Sequence, residues 1–80
     1  MRILALDDDK GIKEAIIYLK INEAKELLGA LKQLILKNDL SQHYHISDSA
    51  YKHEITVVLY DEKNINMLNK RSQKLIEEDL

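Results

Sequence analysis

The segment from Asn22 to Asn38 constrains the fold more than any other part of the chain. Its apolar residues recur at intervals of three and four, which is typical of a helix with one face on a core. Asn22 suits the N-cap position, and Glu23 is favourable in the first turn of a helix. The apolar stripe of this predicted helix consists of Ala24, Leu27, Leu28, Leu31, Leu34 and Ile35. Such a stripe requires an apolar layer elsewhere in the chain to pack against.

Two predicted hairpins supply that layer. The first joins Arg2–Leu6 to the partly alternating segment Ile12–Ile21, through a turn in which Gly11 can adopt a positive φ. The second joins residues 43–47 to residues 53–60, which are rich in β-branched side chains. Both hairpins can therefore contribute strands to a sheet under the helix.

A second helix is predicted near the end of the chain, where Asp61 can cap it and Asn69 is a candidate break. The order of elements is then β-β-α-β-β-α. The simplest α+β architecture of this order is a four-stranded antiparallel sheet with both helices on one face. The core residues expected from the sheet are Leu4, Leu6, Ile17, Leu19, Ile55, Val57 and Leu59.

Length and composition indicate one small globular domain covering residues 1–80. The sequence has no cysteine, which excludes disulfides, thiolate catalysis and cysteine-bound zinc. It also has no apolar run that approaches a membrane span or the core of a signal peptide. We therefore expect a cytoplasmic protein that does not associate with a membrane.

The opposite face of the expected sheet is unusually apolar for a surface exposed to solvent. It would carry Ile3, Ile16, Tyr18, Val58 and Tyr60. A contiguous apolar patch of a few hundred Å² usually marks an interface, and the most frequent oligomer is a homodimer. The sequence thus predicts a binding protein, either a homodimer or a protein with another protein partner. The predicted interface residues are Ile16, Tyr18, Val58 and Tyr60, with His43 and His45 at one end.

The three histidines of the chain raise a second hypothesis, a metal site formed by His43, His45 and His53. A four-residue turn at Asp48–Tyr51 would place His53 opposite Ile46 and turn the other two histidines away from the core. A turn of three or five residues would instead bring all three imidazoles onto one face. The apolar pattern favours the four-residue turn, so no metal and no other cofactor is predicted.

Nucleic-acid binding and catalysis have weaker support in the sequence. Tyr18, Tyr60 and a histidine on an open sheet could stack on the bases of a single strand. However, the formal net charge is −2, without the basic footprint of a nucleic-acid binder. The sequence has no phosphate-binding glycine loop and no nucleophile elbow. We therefore expect neither a nucleic-acid partner nor an enzyme, and we assign no catalytic residue.

Three stretches, YLKINEAKELLGALKQLI, HYHISDSAYKHEITVVLYDEKN and RSQKLIEED, resemble a set of short hypothetical proteins of bacteria and their phages. The resemblance covers most of the chain beyond residue 15. It implies a self-standing small α+β domain, and it makes the chain a candidate product of a phage or mobile element. It carries over no activity and no functional residue.

Overall fold

A computed structural model describes residues 1–38 and 42–80. It shows a small α+β protein with two antiparallel two-stranded sheets and two α-helices. The chain divides into two compact units. Unit 1 comprises Met1–Ile17 and Glu62–Leu80, and unit 2 comprises Tyr18–Asp61.

The elements follow one another with short connections. In chain order they are β1 (Ile3–Ala5), β2 (Lys10–Ile12), α1 (Ile21–Lys37), β3 (His43–Ser47), β4 (Glu54–Val58), a 3₁₀ helix (Glu62–Met67) and α2 (Lys70–Glu78). Neither α-helix in the described ranges has the length and apolar content needed to cross a bilayer.

Helix α1 begins two residues earlier than its sequence suggests. Lys20, not Asn22, is the N-cap residue, and its backbone N–H donates to the Glu23 carboxylate at 2.8 Å. This contact satisfies one of the donors that a helix start would leave unpaired. At the other end Asn38 adopts a left-handed conformation, and its N–H donates to the Leu34 carbonyl oxygen. Both ends of α1 are therefore closed by local hydrogen bonds.

Unit 2 is built from α1 packed on the β3–β4 hairpin. In the described part of this unit the buried side chains are Ala30 and Leu34 of α1 and Ile46 of β3. Leu34 is only 1% exposed. A hairpin of two strands is marginal in water by itself and needs such a helix across one face. Burying a leucine of this kind contributes roughly 1.5–3 kcal/mol.

In unit 1, strands β1 and β2 pair with Ile3 opposite Ile12 and Leu4 opposite Gly11. Asp9 supplies the positive φ of the turn, at 54°, whereas Gly11 was expected to do so and does not. Asp and Asn tolerate this region better than other residues with a Cβ. Gly11 has a different role, which concerns packing against α2.

Two arginines attach α2 and the C-terminal residue Leu80 to the first hairpin of unit 1 and the residues before it. The Arg2 guanidinium donates to the carbonyl oxygens of Leu75 and Ile76, each at 3.1 Å. Arg71 donates to the carboxylate of Asp9 at 2.7 Å and to the Leu80 carbonyl oxygen at 2.8 Å. The last turn of α2 is thus held by side chains that the apolar pattern did not single out.

The expected four-stranded sheet is wrong, because each hairpin forms its own two-stranded sheet. The predicted second strand, Ile12–Ile21, is a strand only as far as Ile12. The backbone then runs outside any sheet until α1 begins, and Lys20 and Ile21 belong to the helix start. Apolar residues on both faces of this segment predicted a strand, but within residues 1–38 and 42–80 no strand pairs with it beyond Ile12.

The predicted core is correspondingly wrong in part. Leu6 and Ile17 are exposed, Leu19 borders on exposure, and Leu4, Ile55, Val57 and Leu59 are only half-buried. The fully buried apolar residues of the described chain are Ala30, Leu34, Ile46 and Leu75. Two narrow hairpins cover less helix surface than one four-stranded sheet would, so fewer side chains reach full burial.

The final helical region is also divided. A 3₁₀ helix with a kink at Asn64 precedes α2, and Asn69 caps α2 by accepting a hydrogen bond from the Ser72 N–H at 2.8 Å. Asn69 therefore separates two helices, as its sequence position suggested. The short polar side chain at this position competes for backbone donors and so favours a helix start.

Candidate interaction surface

The β3–β4 hairpin separates polar from apolar side chains by strand alternation. Tyr44 and Ile46 face α1 together with Val57 and Ile55, their respective cross-strand partners. On the other face His43 lies opposite Val58, His45 opposite Thr56 and Ser47 opposite Glu54. The outer hairpin face is therefore polar except for Val58, and it is not the apolar sheet face that the sequence predicted.

His45 is held in place by its neighbours on this outer face. Its Nδ1 lies 2.8 Å from the Thr56 hydroxyl and 3.7 Å from the Glu54 carboxylate. The Ser47 hydroxyl donates to the same carboxylate at 3.2 Å. The rings of His43 and His45 meet edge to face, with centroids 4.9 Å apart. These contacts fix the orientation of the His45 imidazole.

His53 lies apart from this pair, at the loop end of the hairpin. Ile46 pairs with Ile55 and not with His53, so the loop is longer than the predicted four residues. Its ends are joined by a hydrogen bond from the Asp48 N–H to the His53 carbonyl oxygen at 3.1 Å. The register differs from the prediction by two residues, which preserves the side of the sheet on which His43 and His45 lie.

Asp48 organises this loop. One carboxylate oxygen accepts from the backbone N–H of Lys52 at 2.8 Å and of His53 at 3.3 Å, and the other lies 2.6 Å from the His53 ring. The His53 ring is the main cause of the lowered pKa of Asp48, followed by the hydrogen bond from Lys52. A carboxylate that accepts several hydrogen bonds favours its charged form.

The three histidines do not converge on one point. Within residues 1–38 and 42–80, no group of three histidine, aspartate or glutamate side chains is arranged to hold a metal ion. His53 is engaged with Asp48 in the loop, while His43 and His45 lie along β3. The alternative metal site at His43, His45 and His53 is therefore not assembled by this fold.

The four apolar residues predicted for the interface are all exposed, but they do not share a sheet. Ile16 lies in unit 1, outside any strand. Tyr18 precedes α1 in unit 2 and is 88% exposed. Val58 ends β4, and Tyr60 lies two residues beyond it. In unit 2 the structure thus leaves Tyr18, Val58 and Tyr60 open to solvent, without a common sheet face to join them.

A larger set of exposed apolar residues lies on α1, and the sequence reasoning placed most of it in the core. Outside the contact with the hairpin, the helix exposes Ile21, Leu28, Leu31, Ile35 and Leu36. The apolar residues of α1 span about half of the helix circumference, and the two-stranded hairpin covers only part of that arc. The width of the arc was visible in the sequence and could have indicated a second contact surface.

The chain shows no match to known proteins in three comparisons. No protein-family profile matches it, and neither a curated protein nor a solved structure is significantly similar to it. The geometry of this chain is therefore the basis for any functional proposal.

Proposed function

We propose that this chain is a small cytoplasmic protein that acts by binding and that self-associates through the exposed apolar surface of unit 2. The observation that carries the proposal is the exposure of large apolar side chains on one continuous stretch of this unit. They include Tyr18, Leu19, Ile21, Leu28, Leu31 and Ile35. Surfaces of this kind on small proteins are usually contact surfaces.

The chemistry of Tyr18 supports a contact role. A tyrosine offers a large, rigid and partly apolar surface at low entropic cost, and tyrosines are enriched among residues that dominate binding energy. Tyr18 lies three residues before Ile21, in the segment that leads into α1, and it is almost fully exposed. Val58 and Tyr60 add exposed apolar area in the same unit.

A second copy is the partner we propose, because homo-oligomers with two-fold symmetry are the commonest assemblies of soluble proteins. A two-fold interface uses the same patch on both chains, and an apolar patch is complementary to itself. The polar outer face of the β3–β4 hairpin, with His43 and His45, would then lie outside the contact or at its rim.

The test is the molar mass of the untagged chain by sedimentation equilibrium over a series of concentrations. We expect a monomer–dimer equilibrium that Tyr18→Asp shifts toward the monomer. Tyr51→Asp is the matched control, because Tyr51 is equally exposed but lies in the β3–β4 loop at a φ of 54° that aspartate tolerates. A wild-type chain that stays monomeric at every concentration would contradict the proposal.

A further inference from the structure

Helix α1 carries a second apolar stripe beside the one that packs on the hairpin. Ile21, Leu28 and Ile35 follow one another at intervals of seven residues, with Ala24 and Leu31 between them. This is the spacing of the a and d positions of two paired helices. We call these five residues the α1 seam.

The seam is largely open in the described structure. Ile21, Leu28 and Ile35 are 75%, 54% and 69% exposed. Leu31 is exposed to a smaller extent and Ala24 is half-buried. By contrast Ala30 and Leu34, on the adjacent side of the helix, are buried. The hairpin therefore covers one stripe of α1 and leaves the other without a protein contact of comparable extent.

We infer that the α1 seam pairs with the α1 seam of a second copy, with the two helices antiparallel across a two-fold axis. This inference rests on the self-association proposed above and specifies which residues make the contact. The partner is a second copy of this chain, and the contact is a short two-helix seam.

Side-chain size favours the antiparallel arrangement. In antiparallel pairs a positions of one helix lie beside d positions of the other. Ala24 then lies beside the partner's Ile35, and Leu28 beside the partner's Leu31, so small residues face large ones. A parallel pair would set Ala24 against the partner's Ala24 and leave a gap at that layer. Antiparallel helices also bring opposite ends of their dipoles together.

The seam supplies about half of the area that each chain buries in a standard dimer interface. Full burial of an aliphatic side chain removes roughly 100 Å² of apolar surface from water, which is the ratio of its burial free energy to the free energy per unit area. Four large seam residues therefore remove on the order of 400 Å² per chain, about half of a standard interface side. The alkyl stems of Lys25 and Lys32, which border the seam, can cover more.

The two bordering lysines give the arrangement a charge signature. Lys25 and Lys32 both occupy the e position of the seam, and e positions face each other in an antiparallel pair. Lys25 then lies near the partner's Lys32 at both ends of the contact. Repulsion between exposed like charges is weak and screened by salt. The dimer should therefore tighten as salt concentration rises, and a charge reversal at Lys32 should make the same contacts attractive.

The first experiment compares Leu28→Glu with Leu36→Glu by sedimentation equilibrium. Both substitutions replace an exposed leucine of α1 by glutamate, and Leu36, 79% exposed, lies outside the seam. We expect Leu28→Glu to raise the dimer dissociation constant about 100-fold or more, and Leu36→Glu to leave it nearly unchanged. Circular dichroism and thermal unfolding at low concentration verify that both variants fold.

The second experiment measures the dissociation constant of Lys32→Glu at low and high salt. A tighter dimer at low salt, which weakens as salt is added, supports the antiparallel seam. A weaker dimer overturns it.

The variants together separate the seam from self-association in general. If Leu28→Glu dimerises like the wild type while Tyr18→Asp does not, the seam is wrong and self-association stands. If the wild type is monomeric, both proposals fail. Equal loss of dimer in Leu28→Glu and Leu36→Glu also overturns the seam.

Discussion

Gly11 lies so close to Leu75 that no side chain fits between them. A Cβ atom on Gly11 would be 2.8 Å from Leu75 Cδ1 and 3.1 Å from the carbonyl carbon of Leu80. Leu75 is the buried residue of α2, and Gly11 donates its N–H to the Leu80 carbonyl oxygen at 3.3 Å. Glycine is therefore required here by the close approach of α2 and not by its backbone conformation, since its φ is not positive.

Gly11→Ala should destabilise the protein by about 1–3 kcal/mol, because the added methyl group overpacks a buried contact. The free energy of unfolding in urea measures this effect. If alanine costs nothing, α2 can move away from β2 without loss, and the close contact does not stabilise unit 1. In a Leu75→Ala background, Gly11→Ala should cost less free energy of unfolding than it does in the wild type, since the methyl group then has space.

Gly29→Ala should have the opposite sign. Gly29 lies inside α1, and a Cβ atom there would meet no other atom within 4 Å. Alanine is favoured over glycine within helices by about 1 kcal/mol, because glycine loses more backbone entropy on folding. The same urea measurement should therefore show stabilisation. A loss of stability would show that the exposed side of α1 at Gly29 is in close contact with something.

The elements that the sequence predicted well are those fixed by local rules. The helix over 22–38 and the β3–β4 hairpin exist, and the alternation of His43 and His45 with Tyr44 and Ile46 follows from strand geometry alone. The sequence also predicted the coarse class, α+β with two helices and antiparallel strand pairs, for the same reason. Helix and strand periods are properties of short segments.

The features that the sequence did not predict depend on contacts between distant residues. Whether Ile12–Ile21 becomes a strand depends on a partner strand, which no local pattern specifies. Which apolar residues of α1 are buried depends on the width of the hairpin beneath it. The sequence analysis therefore assigned the exposed residues Leu28, Leu31 and Ile35 to the core, and it predicted more core residues than the structure buries.

Leu34 and Ile35 are adjacent in α1, and together they test which side of the helix is buried. Leu34→Ala should cost about 2–5 kcal/mol, because it leaves a cavity where α1 meets the hairpin. Ile35→Ala should change the stability of the monomer by less than about 0.5 kcal/mol, since its side chain is mostly exposed. Thermal unfolding at low protein concentration compares the two. Equal losses would indicate that the whole apolar arc of α1 is buried.

Asn69→Ala should destabilise α2 by about 1 kcal/mol, because the Ser72 N–H loses its side-chain acceptor. Asn69→Ser is the control, since serine is an equally good N-cap residue. The difference between the two variants in the free energy of unfolding isolates the cap. If alanine and serine behave alike, the start of α2 at Lys70 does not depend on this hydrogen bond.

The pairing of Asp48 with His53 makes the hairpin loop sensitive to acid. The folded-state pKa of Asp48 lies below its ordinary value of 3.8, with the hydrogen bond from His53 as the largest cause. A depressed carboxyl pKa contributes stability that is present above the unfolded pKa and lost as pH falls through the folded pKa. The loop should therefore loosen below about pH 4. Asp79, whose pKa is lowered chiefly by Lys13, adds a similar dependence in unit 1.

His53→Ala separates the two contributions, because it removes the main cause of the shift at Asp48 and leaves Asp79 unchanged. The Asp48 pKa, followed by the carbon-13 shift of its carboxyl group in an NMR titration, should rise toward 3.8. His43→Ala should leave it where it is, since His43 lies on β3 and makes its ring contact with His45. An Asp48 pKa that is the same in all three proteins would mean that the backbone donors of Lys52 and His53 alone hold the carboxylate.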